Sequence, residues 1–181
     1  MPKHLIGLIA ALHLLVFSGD LNAGNRGNAE TVTHSVTVKT INQTLAGQFP
    51  FSKSFQGIRV IFSEPKAVIN SLDKTLKLQM MITRSEADKM LVAKAVFKGN
   101  IQFDDFSESY LFEGLVLDTL KIQIDSFTDS KPVVKAIKQS LINDFDDIVL
   151  IKLEQFSSEL PNRQADEIDI SLNQLQFTWQ R

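Results

Sequence analysis

Between Gly57 and Phe127 the apolar residues recur at every second position, the period of a pleated strand with one face buried. Ile58, Val60 and Phe62 alternate with Arg59, Ile61 and Ser63, and Pro65 then interrupts, which predicts an edge or a bulge. Val68 and Ile69 resume before a turn at Asn70–Lys74. Leu76, Leu78, Met80 and Ile82 form one apolar face, opposed by Lys77, Gln79 and Thr83. After a second turn at Ser85–Asp88, Leu91, Ala93, Ala95, Phe97, Ile101 and Phe103 keep a single parity past Gly99-Asn100, which predicts one long bent strand. Asp104–Ser109 is polar and turn-like. Leu115 and Leu117 share a parity, whereas Leu120, Ile122 and Ile124 take the other. A one-residue slip near Asp118-Thr119 is the signature of a β-bulge. Long consecutive antiparallel strands with such bends predict a strongly curved meander.

Helical spacing flanks this region. Val38, Ile41 and Leu45 follow Thr37, a candidate N-cap, and Gly47 and Pro50 mark the stop; Ser35-Val36 ends a short preceding strand. Phe49–Phe55 reads as a connection. Ser130-Lys131-Pro132 opens a second helix, with Val134, Ile137, Leu141 and Phe145 on one stripe and Lys135, Lys138 and Gln139 facing away. Residues 148–153 (IVLIKL) fit either a buried strand or a continuation of that helix. A loop over 159–166 precedes the final strands, which carry Ile168, Ile170, Leu172, Leu175, Phe177 and Trp179.

Residues 1–23 have the form of a secretory signal: Lys3 and His4, a 13-residue apolar run from Leu5 to Phe17, and Leu21-Asn22-Ala23 as a cleavage site. That run is shorter than the roughly 20 residues a spanning helix needs; an uncleaved anchor is the rival reading. The chain is expected to divide into a signal (1–23), a flexible lead-in (24–34) and one domain (35–181), acting in the periplasm or as a secreted protein.

Composition excludes several chemistries. The net charge is −2, so no cationic excess exists to hold a nucleic-acid backbone. With no Cys, disulfides, thiolate metal sites and a lipidated N-terminal Cys are excluded. His34 is the one histidine beyond the signal. Two Ser-x-x-Lys tetrads, Ser63–Lys66 and Ser71–Lys74, fall in strand or turn sequence, without the helix start and partner motifs that acyl transfer needs. Asp104-Asp105 with Glu108, and Asp144 with Asp146-Asp147, do not match a calcium loop and read as solvated turn acids. Asn42-Gln43-Thr44 is a glycosylation sequon inside a predicted helix. No catalytic residue, metal or cofactor is assigned, and the chain is expected not to be an enzyme. The chain is rich in Phe, 13 against one Tyr and one Trp. Phe brings apolar area with no polar handle, as a packed core or an apolar cavity wants.

Val36-Thr37, Ile41–Leu45 and Phe51-Ser52-Lys53, with Ser140–Phe145 and the closing Leu175-Gln176-Phe177, resemble the YceB-like family of bacterial envelope proteins. The likeness runs over residues 35–180. It implies an α+β fold of the tubular lipid-binding (TULIP-like) kind: a highly curved antiparallel sheet wrapped around a long amphipathic helix, with a short N-terminal helix and an apolar groove between sheet and helix. Well-known members are lipoproteins anchored through an N-terminal Cys, which this chain lacks, so no covalent lipid anchor is expected.

The function expected is binding of a lipid or acyl chain between helix and concave sheet, with transient membrane contact and no nucleic-acid partner. The apolar lining chosen from the two walls is Ile137 and Leu141 from the helix, with Leu78, Met80, Phe97 and Phe103 from the meander. The same residues suit a closed core, in which case the domain is an envelope interaction module with no small ligand.

Overall fold

A computed structural model of the chain describes residues 30–55, 57–143, 147–155 and 160–180. The expected signal and the Gly24–Ala29 part of the lead-in lie outside the described residues. The elements run β1 (Thr31–Thr37), α1 (Val38–Ala46), β2 (Phe51–Phe55), β3 (Ile58–Asn70), β4 (Thr75–Glu86), β5 (Lys89–Asp104), β6 (Ser109–Asp125), α2 (Lys131–Asn143), β7 (Ile148–Lys152), β8 (Glu167–Ser171) and β9 (Gln174–Gln180). Residues 31–34, expected in the lead-in, are therefore the start of a strand.

The alternating region builds a six-stranded antiparallel sheet in the order β2-β3-β4-β5-β6-β7. Its inner face is the predicted one: Leu76, Leu78, Met80 and Ile82 stand beside Leu91, Ala93, Ala95 and Phe97, all nearly inaccessible to solvent. Strand β5 runs unbroken for 16 residues through Gly99. The ladder slips between Ser63 and Lys66 on β3, where Glu64 takes a φ of 52°, so Pro65 marks a bulge in an interior strand rather than an edge. A second slip falls where Phe97 pairs with Leu117 and Val96 with Thr119, leaving Asp118 as the extra residue, where the parity change predicts it. Residues 51–55, expected as a connection, form the edge strand β2, with Phe51 opposite Phe62 and Lys53 opposite Val60. Ile148–Lys152 is a strand, which settles the choice left open there.

Both helices bridge opposite ends of the strand order, α1 against β3 and β7, and α2 against β6, β2 and β3. Only a curled sheet brings those strands within reach of one helix. Thr37 caps α1 by accepting the Thr40 N–H (3.3 Å), and Ile41 and Leu45 are fully buried. The Gln48 side chain donates to the Val149 carbonyl (2.7 Å) and accepts its N–H (3.0 Å), imitating a strand partner for β7. Asn42 Oδ1 accepts the Ala67 N–H next to the β3 bulge (2.7 Å). The sequon asparagine thus supplies a buried donor with its acceptor.

The fold class implied by the resemblance is overturned. The described residues are mostly β, 63% strand and 14% helical, and among them there is no long amphipathic helix for a sheet to wrap. Helix α2 has 13 residues, an ordinary length, and the chain re-enters the sheet at Ile148. Phe145, the last residue expected on the helical stripe, lies outside the described residues, while four strands of 12 to 17 residues supply the bulk of the architecture.

A second sheet, in the order β1-β9-β8, closes the molecule. Leu175, Phe177 and Trp179 face inward from β9. The rings of Phe103, Tyr110, Phe177 and Trp179 form a chain with successive centroid separations of 5.0, 4.5 and 6.1 Å, joining β5 and β6 to β9. The Tyr110 hydroxyl accepts the buried Ala165 N–H (2.8 Å), and the Trp179 indole N–H donates to the Arg163 carbonyl (3.0 Å). Each polar handle in this seam thus has a partner, as burial requires.

Candidate functional site

Five of the six residues expected to line an apolar site come together in one hydrophobic cluster. Leu78, Met80, Phe97, Phe103 and Ile137 are all at most 8% exposed. Leu141 lies on α2, and its side chain is outside the described residues. None of those five lines either hollow described below. The parity argument found the inner face correctly, but that face is largely closed by its own neighbours.

A hollow lies one strand further along. Strand β7 pairs with β6 over Ser109–Phe112, and among the described residues no strand pairs with that edge of β6 beyond Phe112. Helix α2 approaches the free half instead, and helix and strand enclose a groove of about 600 Å³. Its walls are Val116, Leu117, Leu120 and Ile122 from β6 and Val134 from α2, with Asp118 and Lys138 supplying charge. Leu117, Leu120 and Ile122 sit opposite Phe97, Ala95 and Ala93, so the groove opens directly onto the inner face. Val116 is 66% exposed and Ile122 41%, unusual values for large apolar residues in the middle of a strand.

Asp118 accepts from Lys77 (3.0 Å) and Lys98 (2.5 Å) on the outer face. Its carboxyl is held below the usual carboxylate range, first by the Lys98 hydrogen bond and then by that of Lys77. On the groove's other wall Lys138 is exposed and makes no ion pair among the described residues. A smaller hollow of about 330 Å³ lies between the ends of the curled sheet, lined by Gln48, Phe49, Phe51, Ser52, Lys53, Asp147 and Ile148.

Ser63 lies at the β3 bulge and Ser71 in a turn, so neither tetrad starts a helix. Asp104 closes the β5–β6 turn, accepting from the Ser107 hydroxyl (2.5 Å) and N–H (2.9 Å), and these bonds lower its pKa. His34 lies on β1 opposite Phe177, and burial lowers its pKa. Asp144 and Asp146 lie outside the described residues. Among the described residues no group of three His, Asp or Glu is placed to hold a metal ion, and no helix is long and apolar enough to cross a membrane.

Compared with models of known protein families and with curated proteins, the chain finds no match. The described groove residues missing from the expected lining are Val116, Leu117, Asp118, Leu120, Ile122, Val134 and Lys138. One signal was present: a 17-residue β6 cannot be covered by the five-residue run that forms β7. Using that signal requires knowing that the two strands are neighbours, a non-local fact.

Proposed function

We propose that the protein binds an apolar ligand of the acyl-chain type in the groove between the free half of β6 and α2. The observation that carries this reading is the groove itself: about 600 Å³, with five aliphatic side chains among its described lining residues, on an edge where strand pairing stops early. That volume falls inside the roughly 300–1,000 Å³ range of small-molecule sites, which are mostly apolar with few polar groups. Each chain methylene removed from water contributes about 0.8 kcal/mol. The Lys138 ammonium offers a counter-charge for a carboxylate at the rim. Binding without turnover is proposed, and no cofactor enters it. Periplasmic or secreted action, read from residues 1–23 and the likeness to envelope proteins, belongs to the same proposal.

A second reading, an interaction module with no small ligand, is favoured by one fact: the expected lining residues Leu78, Met80, Phe97, Phe103 and Ile137 are closed core. A fluorescent fatty acid distinguishes the two. Wild-type protein should take it up, and Leu120→Trp should weaken uptake while melting as wild type, because half-buried Leu120 faces the groove. Absence of uptake by the wild type, together with no lipid in native mass spectra of the purified protein, would refute ligand binding.

A further inference from the structure

The outer face of the large sheet carries a charge arrangement that the groove does not explain. Cross-strand register places Lys77 opposite Lys98, and Lys94 opposite Lys121. Lys66 lies on the same face, opposite Gln79. Like charges directly opposite on one face of a sheet repel and are destabilising. The first pair is relieved within the protein, since Asp118, the extra residue of the β6 bulge, binds both ammonium groups. The second pair has no such relief: neither Lys94 nor Lys121 has an acidic partner among the described residues. The face thus sets Arg59 and five lysines against Asp118 and Glu113, on a chain whose net charge is −2.

Apolar side chains are interleaved with the unrelieved pair. Met81 stands opposite Lys94, Val96 lies between Gln79 and Thr119 in the next row on one side, and Val92 lies between Thr83 and Ile124 in the row on the other. Ile61, Val116 and Ile124 on this face are 39%, 66% and 45% exposed. Ammonium groups interleaved with exposed aliphatic side chains match a bilayer interface, where the stems bury in the acyl boundary and the charges meet phosphates. An acidic protein surface would complement the charge but would leave the exposed Ile61, Val116 and Ile124 without a partner.

We infer that the outer face of β3–β6 docks on a bilayer containing anionic lipid, with a phosphate headgroup taking between Lys94 and Lys121 the place that Asp118 takes between Lys77 and Lys98. This stands independently of the groove, because vesicle binding is measured with nothing in it. Strand β6 joins the two features, so a chain leaving the membrane would enter the groove across Val116.

The test is co-flotation of the full exported chain with phosphatidylcholine vesicles, with and without phosphatidylglycerol. Binding should require the anionic lipid and fall as salt rises. Lys94→Gln with Lys121→Gln should weaken partitioning about twenty-fivefold, from roughly 1 kcal/mol, or fivefold, per lysine at an anionic surface. Lys94→Glu should also lose binding while melting at or above the wild-type temperature, because it converts the repulsive pair into an attractive one. That stability readout separates lost docking from lost folding. Equal partitioning of the Gln pair and wild type would overturn the inference, as would no binding to anionic vesicles. Lysine-dependent binding to polyglutamate but not to vesicles would assign the face to an acidic protein partner and overturn the membrane reading. Loss of fatty-acid uptake with vesicle binding intact would count against the groove alone.

Discussion

Replacing Tyr110 by Phe removes one oxygen from the seam between the two sheets and tests how that seam is held. The Tyr110 hydroxyl accepts the Ala165 N–H at 2.8 Å, with Tyr110 1% and Ala165 6% exposed, so water is poorly placed to substitute. The ring contacts with Phe103 and Phe177, at 5.0 and 4.5 Å, survive the change. What is lost is a buried bond, and an orphaned N–H remains, at a cost of about 1–3 kcal/mol. For a domain of this size each kcal/mol lowers the melting temperature by about 2–4 °C, so a shift of roughly 4–8 °C is expected for a loss of about 2 kcal/mol. Thermal and urea unfolding followed by circular dichroism would measure it. The pH dependence supplies a second arm. Burial raises the Tyr110 pKa in the folded state, so the phenol is favoured there in its neutral form. An unfolded tyrosine ionises near pH 10; the contribution is fully present below that value and is lost as pH rises through the folded pKa. The stability gap between wild type and Tyr110→Phe should therefore narrow above about pH 10. Because Tyr110 is the one tyrosine in the chain, tyrosinate absorbance reports its ionisation directly. A variant that melts with wild type across the whole pH range would refute the seam hydrogen bond as a source of stability.

Gly99→Ala should cost about 1–3 kcal/mol in urea unfolding, since the added Cβ would meet the Glu113 carbonyl oxygen at 2.7 Å and the Leu115 and Phe112 side chains at 3.2 Å; a wild-type midpoint would show that the β5–β6 ladder yields there. Asp118→Asn should flatten the acid limb of the stability profile. The folded pKa of Asp118 is depressed, so its contribution is present above the ordinary carboxylate range and lost as pH falls below about 4. Parallel acid limbs for variant and wild type would contradict that assignment.

The sequence by itself determined the long strands of the meander, β3 to β6, and which of their faces turns inward. Period-2 alternation is local, and it placed Leu78, Met80 and Phe97 on the buried face without knowledge of any partner. The bulge at Asp118 was equally legible, because a parity change is written in one strand, and so was the cap of α1 at Thr37. The Phe51–Phe55 strand was hidden by its brevity, although Phe51, Lys53 and Phe55 alternate with two serines; pairing with β3 decided it. The long helix came from a likeness, and the ladder between β6 and β7 removed it by drawing Ile148 back into the sheet. The groove depends on which strands are neighbours and where their pairing ends. Those are non-local quantities: alternation tells a strand which side faces the core, but only the tertiary structure decides whether another element covers that side.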